Sequence, residues 1–354
     1  MSVRLLKCWN RTGLQLTFWL LACLTAPVAT DATAPSATND AEVFIIHDPL
    51  ATEAFRPSSL RIQAMLERGL TAVTGKSNSR EAWQSLVSTQ DIVGIKVYSA
   101  PGLAGSRVEV VAALIQSLLD AGIPPQHVVV WDKLTSDLQS AGFTDLARRF
   151  PIRVTSCHEF GWDDTAAHTN YYLGRLTWTD HEFGKTEPEV GKRSFFSKLV
   201  TKELTKIINV APLSNHYRAG VTGCLFSLAM GSVDNTQRFE SSPENLAVAV
   251  PEIYAQDPLF EKVVLSIVDA LLAQYQGESQ TFLHYTRPLN ELRFSRDGLA
   301  LDQLSLKDLA ELRQMHSVLF PTNVLSTINK LYHENAPLME LGQSDPKRIR
   351  VERR

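Results

Sequence analysis

Only four cysteines occur, at positions 8, 23, 157 and 224, and none stands in a C-x-x-C spacing. That excludes a zinc ribbon or an iron–sulfur cluster and allows at most one disulfide outside the first thirty residues. A charge excess is missing too: 35 Lys and Arg face 38 Asp and Glu, a formal net charge of −3. No global field therefore recruits nucleic acid. There is no G-x-S-x-G elbow and no P-loop, and Gly102-Leu103-Ala104-Gly105 falls short of a dinucleotide fingerprint. No repeat appears at a solenoid period. The longest apolar run near the start, Leu14 to Leu24, is too short for a membrane span of ~20 residues.

What that run does fit is export. Arg4, Lys7 and Arg11 precede it, and Ala26, Val28, Ala29 and Thr30 follow. This is the layout of a signal peptide over residues 1–29, with the mature chain in the periplasm or cell envelope. The alternative is a retained N-terminal anchor helix. A variant is set by Leu20-Leu21-Ala22-Cys23, which resembles a bacterial lipobox. In that case a lipid on Cys23 is the one attachment to a membrane. Residues 30–41 are small and polar and read as a disordered spacer.

From residue 42 the pattern alternates. EVFIIHD (42–48), DIVGIKVY (91–98) and HVVVWD (127–132) read as strands. Between them lie amphipathic helical stretches, the second opened by a capping box at Ser106 and Glu109 and closed by Gly122. KIINVAPL (206–213), KVVLSIVD (262–269) and LRFSRD (292–297) supply further strands. The expectation is an α/β fold, a mostly parallel sheet with helices on both faces, spanning 42–320. An irregular insertion is expected around 157–200, and a C-terminal helix with a solvated basic tail, PKRIRVERR, over 321–354.

In such sheets ligands bind outside the carboxyl ends of the strands. That gathers Asp48, Tyr98, Asp132, Asp269 and the cluster Asn215-His216-Tyr217-Arg218, which runs into Gly220-Val221-Thr222-Gly223. Arg218 and Asn215 are candidates to hold a small carboxylate or phosphate, aided by Lys96 and by free N–H groups at the helix start. His216 is the candidate acid/base. A rival metal site is offered by His158, Asp163, His168 and His181, whose ligand types suit hard and borderline cations. The competing reading of that stretch is a lid over the cleft, packed by Trp162, Tyr171, Tyr172 and Trp178.

The ordered set VGIKVY, VVVWD, KIINVAPLSNH, GVTGCLFSLAMG and SRDGLALD resembles the bacterial and archaeal family called domain of unknown function 362, from about Glu42 to about Arg313. The resemblance marks Lys96, His216, Thr222, Gly223, Asp297 and Asp302 as family positions. Tyr98, Ser214, Phe226-Ser227 and Gly298 stand where the family carries Asn, Lys, Lys-Asn and Pro. The His216 segment is also remotely similar to nickel-dependent lactate racemases. There a lysine ten residues after the histidine tethers a nickel-pincer cofactor. Phe226 holds that place, so the resemblance implies no such cofactor here. Two functions stay open: an exported enzyme acting on a small anion, or a non-catalytic binding protein descended from the family.

Overall fold

The strand-forming segments join one nine-stranded sheet in the computed structural model, which describes residues 40–277, 282–319 and 322–354. The leader, the lipobox and most of the spacer lie outside the described residues. The main strands are β1 (Ala41–His47), β2 (Val93–Val97), β3 (Val128–Asp132) and β4 (Arg153–Ser156). After the insertion strands β5 (Trp162–His168) and β6 (Ser194–Ser197) come β7 (Lys206–His216), β8 (Val263–Gln274), β9 (Thr286–Ser295) and β10 (Ile349–Arg353). Their spatial order is β10-β1-β9-β8-β7-β2-β3-β4, with the short strand Gly220–Val221 folded back on the end of β7. β9 runs antiparallel to both its neighbours, and every other pairing along that order is parallel.

Alternate residues of these strands feed two separate cores. Ile46, Ile95, Val130 and Ile208 face one way, onto α1 (Ser59–Thr74) and α2 (Val108–Asp120). Ile45, Val129, Trp131 and Ile207 face the other, onto α3 (Cys224–Ser232), α4 (Pro243–Tyr254) and α5 (Gly298–Met315). The strands are apolar on both faces because both faces are covered, as parallel sheets require. The α/β class with helices on both faces is what the alternating pattern implies.

Three expectations need correction. The basic tail is not a solvated end: Ile349–Arg353 adds an edge strand parallel to β1, so the sheet runs past residue 320. Arg348, Arg350 and Arg353 pair with Asp40, Glu42 and Glu291, which offsets the charge that masked the strand. Ser106 does not cap α2; that place falls to Arg107, and the Ser106 hydroxyl bridges Tyr98 N–H to the Val210 carbonyl. The insertion is partly regular, with β5 and β6 forming an antiparallel pair.

Candidate ligand-binding cleft

β7 is longer than its parallel neighbour β2. Its register with β2 ends at Val210 opposite Val97, and it continues to His216. The overhang carries His216, Tyr217 and Arg218 to the carboxyl ends of β2 and β3. There a cleft of about 280 Å³ opens between Tyr98, Asp132, His216, Arg218, Ser227 and Glu240, with Lys133 and Asp137 on its wall. Residues 157–200 contribute nothing to this lining, so the insertion is not its lid. It supports the cleft from outside: His181 N–H and Phe195 N–H donate to the Asp234 carboxylate, and the Asp234 carbonyl accepts from Lys133 Nζ.

Lys96 lies directly beneath the cleft and is fully buried. Its ammonium meets Asp132 at 2.9 Å, the Val97 carbonyl at 2.6 Å and Ser227 Oγ at 3.2 Å. Three acceptors match the three protons of an ammonium, so Lys96 is the donor to Ser227. The Ser227 proton must then point elsewhere, which makes this hydroxyl a polarised donor and not a nucleophile served by a lysine base. Asp132 is satisfied in turn by Ser99 N–H and Oγ–H at 2.8 and 2.6 Å and by Lys133 N–H. Gly231 is what lets this pair fit: a Cβ there would stand 2.2 Å from Lys96 Cε.

His216 is oriented by its own turn. Its Nδ1 accepts from Ala219 N–H at 3.0 Å and Arg218 N–H at 3.4 Å, which fixes the proton on Nε2. The ring packs on Phe226 at 4.2 Å between centroids. Burial, and then the charge of Arg218, hold its pKa at about 3. The acid/base role expected of His216 does not follow, because the imidazole is neutral, and only weakly basic, throughout the ordinary pH range. Arg218 donates one N–H to the Glu240 carbonyl and lies 4.6 Å over the Tyr217 ring. The Tyr98 phenol is held protonated by burial and then by Asp132, Glu240 and Asp137. Burial lowers Lys133 and raises Asp137.

The remaining expected ligand residues are used inside the fold. Asn215 donates to the Gly277 carbonyl and accepts from Arg313. Thr222 is buried, its N–H donating to the Ser214 carbonyl. Asp297 caps α5 by accepting from Ala300 N–H and also accepts from Gln343 N–H. Asp302 is fully buried and accepts from Cys224 N–H and Leu225 N–H. The start of α3 is therefore already met by an internal carboxylate and is not open to a ligand anion. Gly223, at φ 38°, belongs to this contact, since a Cβ would stand 2.4 Å from Asp302 Oδ1. Burial raises the Asp302 pKa to about 7.

The metal candidates also disperse. His168 Nε2 meets Glu252 at 2.6 Å and its Nδ1 meets Arg238. Asp163 is taken by Thr165, Thr201 and Lys202. His158 packs edge-on against Trp178 and His181 against Phe195. Among the described residues no group of three or more His, Cys, Asp or Glu is placed to hold a metal ion. Asp48 and Asp269 also stand apart, paired with Arg61 and Arg107. Lys133, Asp137 and Glu240 were not singled out from sequence, and Ser227 only as a departure from the family pattern. Lys133 follows directly on the end of β3 and Asp137 lies in the short helix Thr135–Ser140 just after it, which is the signal that could have found them.

Residues 93–307 match the family described as Domain of unknown function (DUF362). The chain belongs to this family. The match covers more than half of it and includes every family position named above. No curated protein is similar enough to match. A crystal structure of a protein from Thermotoga maritima aligns at 14% identity and a TM-score of 0.39, covering 74% of this chain and 60% of that one. This chain thus spans less than two thirds of that protein's length.

Proposed function

We propose that this domain of unknown function 362 protein binds a small organic carboxylate or phosphate in the cleft at the ends of β2, β3 and β7. The observation that carries the reading is the His216 turn: two backbone N–H groups occupy Nδ1, so Nε2–H is left as a donor beside the Arg218 guanidinium. Ser227, polarised by Lys96, supplies a third donor. Three converging donors, one of them a cation, suit an oxyanion. With His216 neutral and Ser227 receiving a hydrogen bond from an ammonium, the arrangement favours binding over catalysis by either residue. We also take the chain to be exported, on the basic, apolar and small-residue layout of residues 1–29.

The test is thermal stabilisation of wild type and Arg218→Ala across a panel of small carboxylates and phosphates. A ligand that stabilises wild type should bind the variant at least about tenfold more weakly, the loss expected for one charge-assisted hydrogen bond. A ligand that stabilises both equally would place the site elsewhere.

A further inference from the structure

A second concavity lies apart from the cleft and differs from it in kind. It is a groove of about 480 Å³ between α5 and the helix that follows, α6 (Thr322–Ile328), and it shares no lining residue with the cleft. Gln303, Leu306, Lys307, Ala310, Arg313 and Gln314 reach it from α5 at the three- and four-residue spacing of one helix face, which runs ~16 Å along the helix axis. Leu306, Ala310, Val318, Leu325, Ile328 and Pro346 make its walls apolar, and Leu325 is 50% exposed. Ile328 and Leu306 meet over Gly220, where a Cβ would stand 2.5 Å from the first and 3.0 Å from the second. The groove therefore backs onto the turn that carries His216, which pairs with Gly220. His333 enters from a π-helical stretch, Asn329–Asn335, a distortion frequent at functional sites.

We propose that this groove binds a free straight-chain carboxylate of medium length, its alkyl chain along the apolar walls and its carboxylate at the α5 cations Lys307 and Arg313. The proposal does not depend on the reading of the cleft. Lys307 and Arg313 are the charged members of the described residues that line the groove, which include no Asp or Glu. His333 Nδ1 accepts from Gln303, and burial lowers the His333 pKa, so the ring adds no charge at neutral pH. Arg313 is buried, with Nε on the Tyr275 carbonyl and Nη2 on Asn215, which fixes the guanidinium against the wall. Lys307 stands 3.8 Å from Glu311 in an exposed pair, which holds an ammonium only weakly. An anionic head complements both cations, whereas an alkyl amine meets two like charges and an alcohol leaves them unanswered. The alkyl chain removes the apolar walls from water. The volume falls within the ~300–1,000 Å³ of small-ligand sites.

The experiment is calorimetric titration of the full chain with octanoate, decanoate and dodecanoate below their micelle concentrations, each matched to the alcohol and the amine of the same chain. Affinity is expected to rise about two- to fourfold per added CH₂, and each carboxylate to bind roughly tenfold more tightly than its alcohol. Ala310→Trp, at an exposed position of the lining, should weaken decanoate at least about tenfold without moving the urea midpoint. Leu325→Gln, also exposed, should flatten the dependence on chain length, and Lys307→Gln should narrow the preference over the alcohol. Arg218→Ala should change none of these affinities, which separates the groove from the cleft. Equal binding of carboxylate and alcohol overturns the proposal, as does binding indifferent to both Ala310→Trp and Leu325→Gln, or no binding by any of the three carboxylates. Loss of decanoate binding in Arg218→Ala would assign these carboxylates to the cleft, so the groove proposal would fail while the anion reading stands. A wild-type dimer in sedimentation that Ala310→Trp dissociates would make the groove an interface between copies and would also overturn it.

Discussion

Asp302→Asn is the perturbation whose consequence can be worked furthest. The carboxylate is fully buried and accepts two backbone N–H bonds at the start of α3, yet burial outweighs those bonds and raises its pKa from the ordinary 3.8 to about 7. A folded-state pKa above the unfolded one means the folded protein holds this proton more tightly. The stabilisation is fully present below pH ~4, and it is lost as pH rises through the interval up to the folded value. A displacement of this size corresponds to ~4 kcal/mol at about 1.4 kcal/mol per pH unit. Asparagine does not titrate, so the variant removes this slope while other raised carboxylates, such as Asp234 and Asp297, contribute equally to both proteins. Urea unfolding of both from pH 4 to pH 8 isolates the effect. The stability of wild type minus that of the variant should fall by ~4 kcal/mol between pH 4 and 7 and then level off. A difference that is flat, or that rises with pH, would refute the reasoning.

Gly231→Ala should push Lys96 off Asp132 and cost ~3 kcal/mol or more in urea unfolding, the range for breaking a buried pair, because the new Cβ stands 2.2 Å from Lys96 Cε. The His216 ring should keep its proton on Nε2 with no imidazolium forming between pH 5 and 8, as nitrogen NMR would report; its folded pKa of about 3 lies below that window. Neither Cys157 nor Cys224 should react with a thiol reagent in the native protein at pH 8, since burial raises the first to about 12 and the second well above its usual value. Protein taken from the cell envelope should begin after residue 22 or near residue 29 by N-terminal sequencing, and an intact Met1 on cytoplasmic material would contradict export.

The α/β class was legible because both-face burial writes itself as continuous apolar runs: Val93 to Val97 and Val128 to Asp132 are buried along their whole length. The strand that leads to His216 and Arg218 was legible for the complementary reason, an apolar run passing into polar residues, although it continues past the expected end at Leu213 to His216. What these residues contact was not legible. Asp302 reaches Cys224 across 78 residues, and its resemblance to a family position marked it as important without saying that it closes the helix start to ligands. Asn215 looked like a ligand group because of its neighbours, but strand alternation turns it away from His216 and onto Arg313. Lys133, Asp137 and Glu240 are ordinary charged residues locally, and only the folding of α3 and its flanks over the sheet makes them one wall. β10 escaped because Ile349 is its one buried residue and its arginines Arg350 and Arg353 are balanced by acids far away in sequence.

The donors around His216 are proposed to hold the ligand's oxyanion. A crystal structure of the protein with any small carboxylate or phosphate that stabilises it tests this most directly. An anionic oxygen is expected within hydrogen-bond distance of His216 Nε2 with the Arg218 guanidinium alongside, while Asp302 still caps Cys224 and Leu225. A ligand seated anywhere else, or one that reaches the start of α3 by displacing Asp302, would contradict it.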